Sequence, residues 1–272
     1  FINSMKWFTN YSNEDLVVMF SYFSANPNKI TMILIAVATS IGGVGIPLLT
    51  ENYVKGDFRS AARLVQDNLS MLIFFILPAT IGAVLVAEPL YTVFYGKPDG
   101  LAQGLFIFAM LQTIILSLYT VLAPMIQALF QNRKAIIYFL YGVGVKLVLQ
   151  VPLIYIFKAY GPLLATTVGL IIPILLMYQE IRKVTGLNPK NLFKRSLLSV
   201  ILTVLMCIFV LVAELLIGLF LHPSGRISSF VYIALIGGIG LAVYGGLALK
   251  VRLMDRFIGS KAASLRRRFG IR

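Results

Sequence analysis

The sequence predicts an all-α fold, a polytopic transmembrane helical bundle, and three observations carry that expectation. Seven stretches, 30–50, 69–87, 101–131, 135–157, 159–179, 196–221 and 227–249, are each apolar over the roughly 20 residues that a helix needs to cross the hydrocarbon. Within them Lys146 and Glu214 are the only charged residues. Hydrophobic residues make up 59% of the 272 and charged residues 12%, and the mean hydropathy of +0.89 lies far outside the range of soluble domains.

Taken in order, residues 1–29 are expected to be the end of a truncated helix and an outer loop, because the chain opens on Phe1 with neither a signal peptide nor a start-transfer helix. Ser12, Asn13, Glu14 and Asp15 fit a capping box that opens a short helix. Its Leu16, Phe20 and Phe23 are expected to rest on the membrane interface, with Trp7 and Tyr11 completing an outer aromatic belt. Residues 30–182 are expected to form a five-helix part of the bundle. Its first span carries Gly42, Gly43 and Gly45 before Pro47, small residues that let helices approach closely. Lys55, Gly56 and Asp57 make a turn, and beyond it Arg63 and Asp67 sit four residues apart on a helical face. Pro78, Pro124, Pro152 and Pro173 allow kinks where helices line a cavity. Glu88 precedes Pro89 at an outer helix end and reads as interfacial.

A linker over 183–195, with Gly186, Asn188 and Pro189, separates this part from a final helix pair over 196–252 and a basic tail over 253–272. In the pair, Gly238, Ala242 and Gly246 recur every four residues and are expected to pack against a neighbouring helix. Cys207, the single cysteine, sits in mid-span and reads as a small buried hydrophobe, which leaves no disulfide framework or metal cluster. His222, the single histidine, reads as a solvated loop residue. Glu214 is expected to snorkel or to take a local hydrogen bond.

Charge sets the orientation. With the first span running inward, 18 of the 24 Lys and Arg residues fall on the inner side against 5 outside, a bias that places the C-terminus in the cytoplasm. The formal charge of +14 therefore belongs to span ends, and no soluble, aromatic-interleaved platform for nucleic acid accompanies it. The sequence contains no Walker A run, no HExxH and no Ser/His/Asp set. These absences turn the reading from enzyme to transporter, with no cofactor and no metal expected.

Lys146 is the candidate of most interest. On an exposed face in lipid it would cost about 2.5–3.5 kcal/mol, so it is expected to face protein or water. Tyr138, Gly142, Lys146 and Gln150 recur every four residues as one polar seam. An ammonium beside an amide donor suits an anionic group such as a phosphate; the alternative is a structural lysine satisfied by carbonyls or by another part of the protein. Gln112 and Tyr119, two turns apart on the preceding span, are either cavity neighbours or interhelical hydrogen-bonding residues.

Several runs carry a resemblance: Gly45-Ile46-Pro47-Leu48-Leu49-Thr50-Glu51, Lys55-Gly56-Asp57-Phe58-Arg59, Leu77-Pro78, Ala87-Glu88-Pro89-Leu90, Phe94-Tyr95-Gly96, Tyr160-Gly161-Pro162 and Leu164-Ala165-Thr166-Thr167. Over about residues 1–252 the chain resembles the polysaccharide-transporter branch of the multidrug/oligosaccharidyl-lipid/polysaccharide exporter superfamily, in its SpoVB/YtgP-like group, which is similar to the MurJ lipid II flippases. The resemblance implies fourteen helices in two lobes, the seven here being the C-terminal lobe with the last helix pair, and an N-terminal lobe missing. It implies alternating-access flipping of undecaprenyl-diphosphate-linked saccharides, lipid II or polysaccharide units, in the bacterial plasma membrane, with the lipid-linked oligosaccharide and membrane lipids as partners. Lys146 is then the candidate diphosphate contact. Two other functions are weighed: a MATE-like drug or cation antiporter, which would need more intramembrane acids than Glu214, and an integral-membrane glycosyltransferase or polymerase, which would need larger outer loops.

Overall fold

The computed structural model describes residues 1–6, 8, 11–219, 225–251 and 253–254. The expectations for Trp7, His222 and the tail over 255–272 lie outside them. Among the described residues there is no strand. The helices are α1 (Ile2–Lys6), α2 (Asn13–Phe20), α3 (Asn26–Val44), α4 (Ile46–Val54), α5 (Phe58–Leu85), α6 (Ala87–Tyr95), α7 (Gly100–Ala128), α8 (Asn132–Phe157), α9 (Gly161–Thr185), α10 (Pro189–Gly218) and α11 (Arg226–Lys250). Among the described residues six helical stretches are long and apolar enough to cross a membrane, and one of them, Asn132–Thr185, contains both α8 and α9. The expected seven passes therefore correspond to α3 with α4, α5, α7, α8, α9, α10 and α11.

Two compact units are present. The first combines Phe1–Leu72 with Pro98–Leu192, and the second combines Ile73–Lys97 with the described residues from Phe193 onward. Helix α5 contributes its first part to one and its last part to the other.

In the first unit the capping box forms as its residues predict: the Asp15 amide donates to Ser12 Oγ at 3.1 Å and the Ser12 amide to Asp15 Oδ2 at 3.3 Å. The helix it opens differs from expectation in one respect. Leu16 is fully buried with Met5 and Ile154, because α1, α2 and α8 meet there and protein takes the place of lipid. Phe20 stays exposed, and Phe23 packs edge-on to Phe1 with 4.8 Å between ring centroids. Helix α3 gives way to α4 at Gly45, with Pro47 in the first turn of α4, where a missing N–H costs nothing. A β-carbon at Gly42 would stand 2.8 Å from Val121 on α7, and one at Gly45 would stand 2.5 Å from the Asn68 amide nitrogen; nothing approaches Gly43. Asn68 uses that amide to donate to the Gly42 carbonyl at 3.3 Å. Gly56, at φ +76, makes the turn after α4, and Asp57 caps α5 by accepting from the Ser60 amide at 3.0 Å. Hydrogen bonding from Ser60, side chain first and then backbone, holds the Asp57 carboxyl below its ordinary pKa.

In the second unit α10 and α11 pack with α6 and the end of α5 around Phe74, Leu202, Met206, Val210, Tyr232, Ile236 and Tyr244. The packed stripe of α11 is Tyr232, Ile236, Gly240, Tyr244 and Ala248. This corrects the expectation for Gly238, Ala242 and Gly246: Gly238 and Ala242 are exposed, and nothing lies within 4 Å of a β-carbon built at Gly238 or Gly246. Gly240 makes the close approach instead, with Val210 Cγ2 at 3.3 Å from its would-be β-carbon. Glu214 takes a hydrogen bond from the Tyr232 hydroxyl at 3.1 Å, the local satisfaction expected of it.

Pro78 explains one further bond. Having no N–H, it leaves the Phe74 carbonyl without its i+4 donor, and the Tyr244 hydroxyl donates to that carbonyl at 2.7 Å. Replacing Tyr244 by Phe is therefore expected to destabilise the protein by about 1–3 kcal/mol, the cost of an orphaned buried acceptor, with little change in packing volume. Thermal melts of the purified protein in detergent check this, and an unchanged midpoint would show that the carbonyl finds another donor.

Candidate functional site

The polar seam of α8 meets α9, and glycines bring the two helices together. A β-carbon at Gly142 would collide with the Gly169 carbonyl and stand 2.9 Å from Pro173 Cδ. One at Gly169 would stand 2.9 Å from both the Gly142 carbonyl and Lys146 Cβ. At the far end, a β-carbon at Gly161 would lie 2.5 Å from the Ile154 amide nitrogen, so the start of α9 folds directly onto the end of α8. The connection between them is one 3-10 turn, Lys158–Tyr160, entered through Lys158 in the left-handed region at φ +49.

This geometry fixes the root of Lys146. Its Cβ lies against Gly169, so the side chain starts at the helix interface, while the residue as a whole is half-buried. Lys146 makes no hydrogen bond or ion pair with any described residue. A cation at mid-helix, anchored at its base and unpaired at its head, can take an anionic partner without first breaking another bond.

The other sequence candidates go to different places. Tyr138 donates to Glu180 Oε2 on α9 at 3.2 Å. Gln112 donates to the Leu163 carbonyl at 2.9 Å and to Thr167 Oγ1 at 3.0 Å, which ties α7 to α9. Tyr119 lies against Phe139 of α8, ring centroids 6.2 Å apart. Gln150 is half-buried, one turn beyond Lys146. The seam thus brings Tyr138 and Lys146 to one interface with α9, and Gln112 reaches the same helix from α7.

Sequence reasoning did not single out Glu180 or its partner. Lys134 Nζ lies 2.7 Å from Glu180 Oε1, so a buried carboxylate accepts from both Lys134 and Tyr138. The available signal was the position of the two charges: each stands just beyond a span end, nearly equidistant in sequence from the turn at Lys158, which sets them opposite each other in a helical hairpin. No group of three or more His, Cys, Asp or Glu side chains converges among the described residues in a way that could hold a metal ion.

Gln112 is expected to act in helix packing: Gln112→Leu should lower stability by about 0.5–1.5 kcal/mol through loss of the interhelical bonds. A melting series on the purified variant reads this directly. A loss well above that range would mean that Gln112 supports more than the α7–α9 contact.

The family model described as Lipid II flippase MurJ matches residues 24–234. Lipid II flippase MurJ of Bacillus subtilis (strain 168) is 29% identical over 237 residues, covering 86% of this chain and 44% of that protein. A solved lipid II flippase MurJ in an inward closed conformation is similar in fold, with a TM-score of 0.63 at 17% identity, over 83% of this chain and 45% of that one. The chain thus spans a little under half the length of these relatives.

Proposed function

This chain belongs to the lipid II flippase MurJ family, and we propose that its helices form one side of a path by which a diphosphate-linked saccharide lipid crosses the bacterial plasma membrane. The substrate is an undecaprenyl-diphosphate saccharide of the lipid II type, moved by alternating access, with no bond made or broken. A path between two lobes needs both of them, and α7, α8 and α9 of the first unit supply one wall.

The observation that carries the site is the unpaired, half-buried Lys146 at the middle of α8. A compact ammonium gives three donors to phosphate oxygens, and partial burial strengthens each contact relative to water. Gln150 and Tyr138 flank it by one and two turns along the seam: the Gln150 amide can bond sugar or phosphate oxygens, and the Tyr138 oxygen, whose proton goes to Glu180, can accept from a sugar hydroxyl. Gln112 and Tyr119 line the adjoining α7 and set the position of α8 and α9 around the substrate.

The basic end of the bundle is the cytoplasmic one in this reading. Exposed Arg133, Arg182, Lys183 and Lys190 cluster there, as the positive-inside rule requires.

Two measurements test these assignments. Lys146→Met is expected to preserve the amount of folded protein and to abolish rescue of cells depleted of their own lipid II flippase, whereas Lys146→Arg retains part of the activity because charge survives while geometry changes. Full rescue by the Met variant at normal protein levels would remove Lys146 from the site. Separately, a cysteine at Lys190 should resist a membrane-impermeant thiol reagent in intact cells and react after permeabilisation; labelling from outside would invert the orientation.

A further inference from the structure

We propose that Lys134 is a second phosphate-binding residue of the substrate path, presented at the basic end of the α8–α9 seam by a buried carboxylate, Glu180, that holds it in place. The inference rests on the reading of Lys146 as a diphosphate contact and extends it to a residue nothing else assigns.

The pair is asymmetric. The Glu180 side chain is 9% exposed and that of Lys134 45% exposed, so the negative charge is hidden and the positive charge faces outward. An ammonium has three donors, and the bond to Glu180 Oε1 uses one. The Lys134 side chain is 45% exposed, so the remaining donors are free to meet a phosphate oxygen without displacing the carboxylate. Glu180 is also held independently, since Tyr138 donates to its second oxygen. Lys134 can therefore shift between sharing and releasing its bond while the carboxylate keeps a donor.

The surroundings favour an anion. Lys134 lies in the first turn of α8, which contains no acidic residue and whose N-terminus has no side-chain cap. Arg133 beside it is exposed and makes no bond or ion pair with a described residue. The positive end of the helix dipole adds to both charges. A surface ion pair at this position would contribute little to stability, and exposed pairs of this type are commonly worth less than about 1 kcal/mol. Burial of one partner is what distinguishes this pair.

The seam joins the two lysines. Lys134 and Tyr138 meet Glu180, Gly142 meets Gly169 and Pro173, and Lys146 meets Gly169, so all four α8 positions lie along one α9 stripe. Twelve residues of helix separate Lys134 from Lys146, about 18 Å along the axis. That distance places one cation at the basic end and the other near mid-membrane, two stations for a diphosphate moving along the same edge.

The test separates a substrate contact from a structural pair. In the intact protein in zwitterionic nanodiscs, the charge swap Lys134→Glu with Glu180→Lys restores the pair but buries the cation. Its affinity for undecaprenyl diphosphate is expected to fall at least tenfold, with an unchanged melting midpoint and unchanged binding of undecaprenol. Inorganic pyrophosphate as competitor distinguishes recognition of the lipid diphosphate from recognition of a free anion: displacement at comparable concentration would assign the site to soluble diphosphate and overturn its role for the lipid. If the swap fails to fold, the neutral double variant Lys134→Met with Glu180→Gln is read in the same assay, and a tenfold loss supports the proposal. Wild-type affinity in a folded swap or in the neutral double variant would reduce the pair to a structural one. Lys146→Met run in parallel keeps the two readings apart: its unchanged affinity beside a weakened swap strikes Lys146 alone, and the reverse strikes Lys134 alone.

Discussion

Gly142 and Gly169 face each other across α8 and α9 with no room for a β-carbon on either, and the local arrangement of the candidate site depends on that contact. Lipid tails are as apolar as leucine, so helices in a bilayer gain little by merely burying apolar side chains against one another. They gain by close backbone approach. At this crossing Pro173 adds a second feature, since it has no N–H to offer the Gly169 carbonyl, which lies against Gly142. A larger residue at either glycine would push the hairpin apart and move the root of Lys146 with it.

Three charged groups of the long helices, Glu180, Glu214 and Lys146, are handled in three different ways. Glu180 is buried and doubly hydrogen-bonded, by Lys134 and Tyr138. Glu214 takes one hydrogen bond from a tyrosine of the neighbouring helix. Lys146 has neither arrangement. An ionisable group held in mid-helix without a partner costs free energy that a purely structural residue could avoid, and such residues in membrane proteins commonly mark a ligand path. The same logic governs the backbone: the carbonyl that Pro78 leaves free is taken up by Tyr244, so a kink residue and its compensating donor come from helices far apart in sequence.

Much of this was legible in the residues themselves. Ser12 and Asp15 announced the capping box that forms, the Gly45-Ile46-Pro47 run marked the break between α3 and α4, and the quoted motifs pointed to the exporter branch whose MurJ family model covers residues 24–234. Lys146 stood out because it was the only basic residue well inside a span. Glu180 did not, because a charge at a span end looks like an ordinary interfacial residue until the hairpin sets Lys134 opposite it. Leu16 was misplaced for a related reason: an apolar residue on a short helix suits the membrane interface and a protein core equally well.

By itself the sequence determined which segments cross the membrane, that they are helical, where the basic residues collect and which family the chain joins. Those properties depend on the length and composition of continuous stretches, and a bilayer reads them one helix at a time. Only the tertiary structure decided which face of each helix meets a neighbour. Gly238, Ala242 and Gly246 had the right spacing and lie open, while Gly240, with no distinguishing pattern, meets Val210. In water an amphipathic stripe would have revealed the buried face. In lipid both faces are apolar, the periodic signal disappears, and only packing between particular side chains settles which face is turned inward.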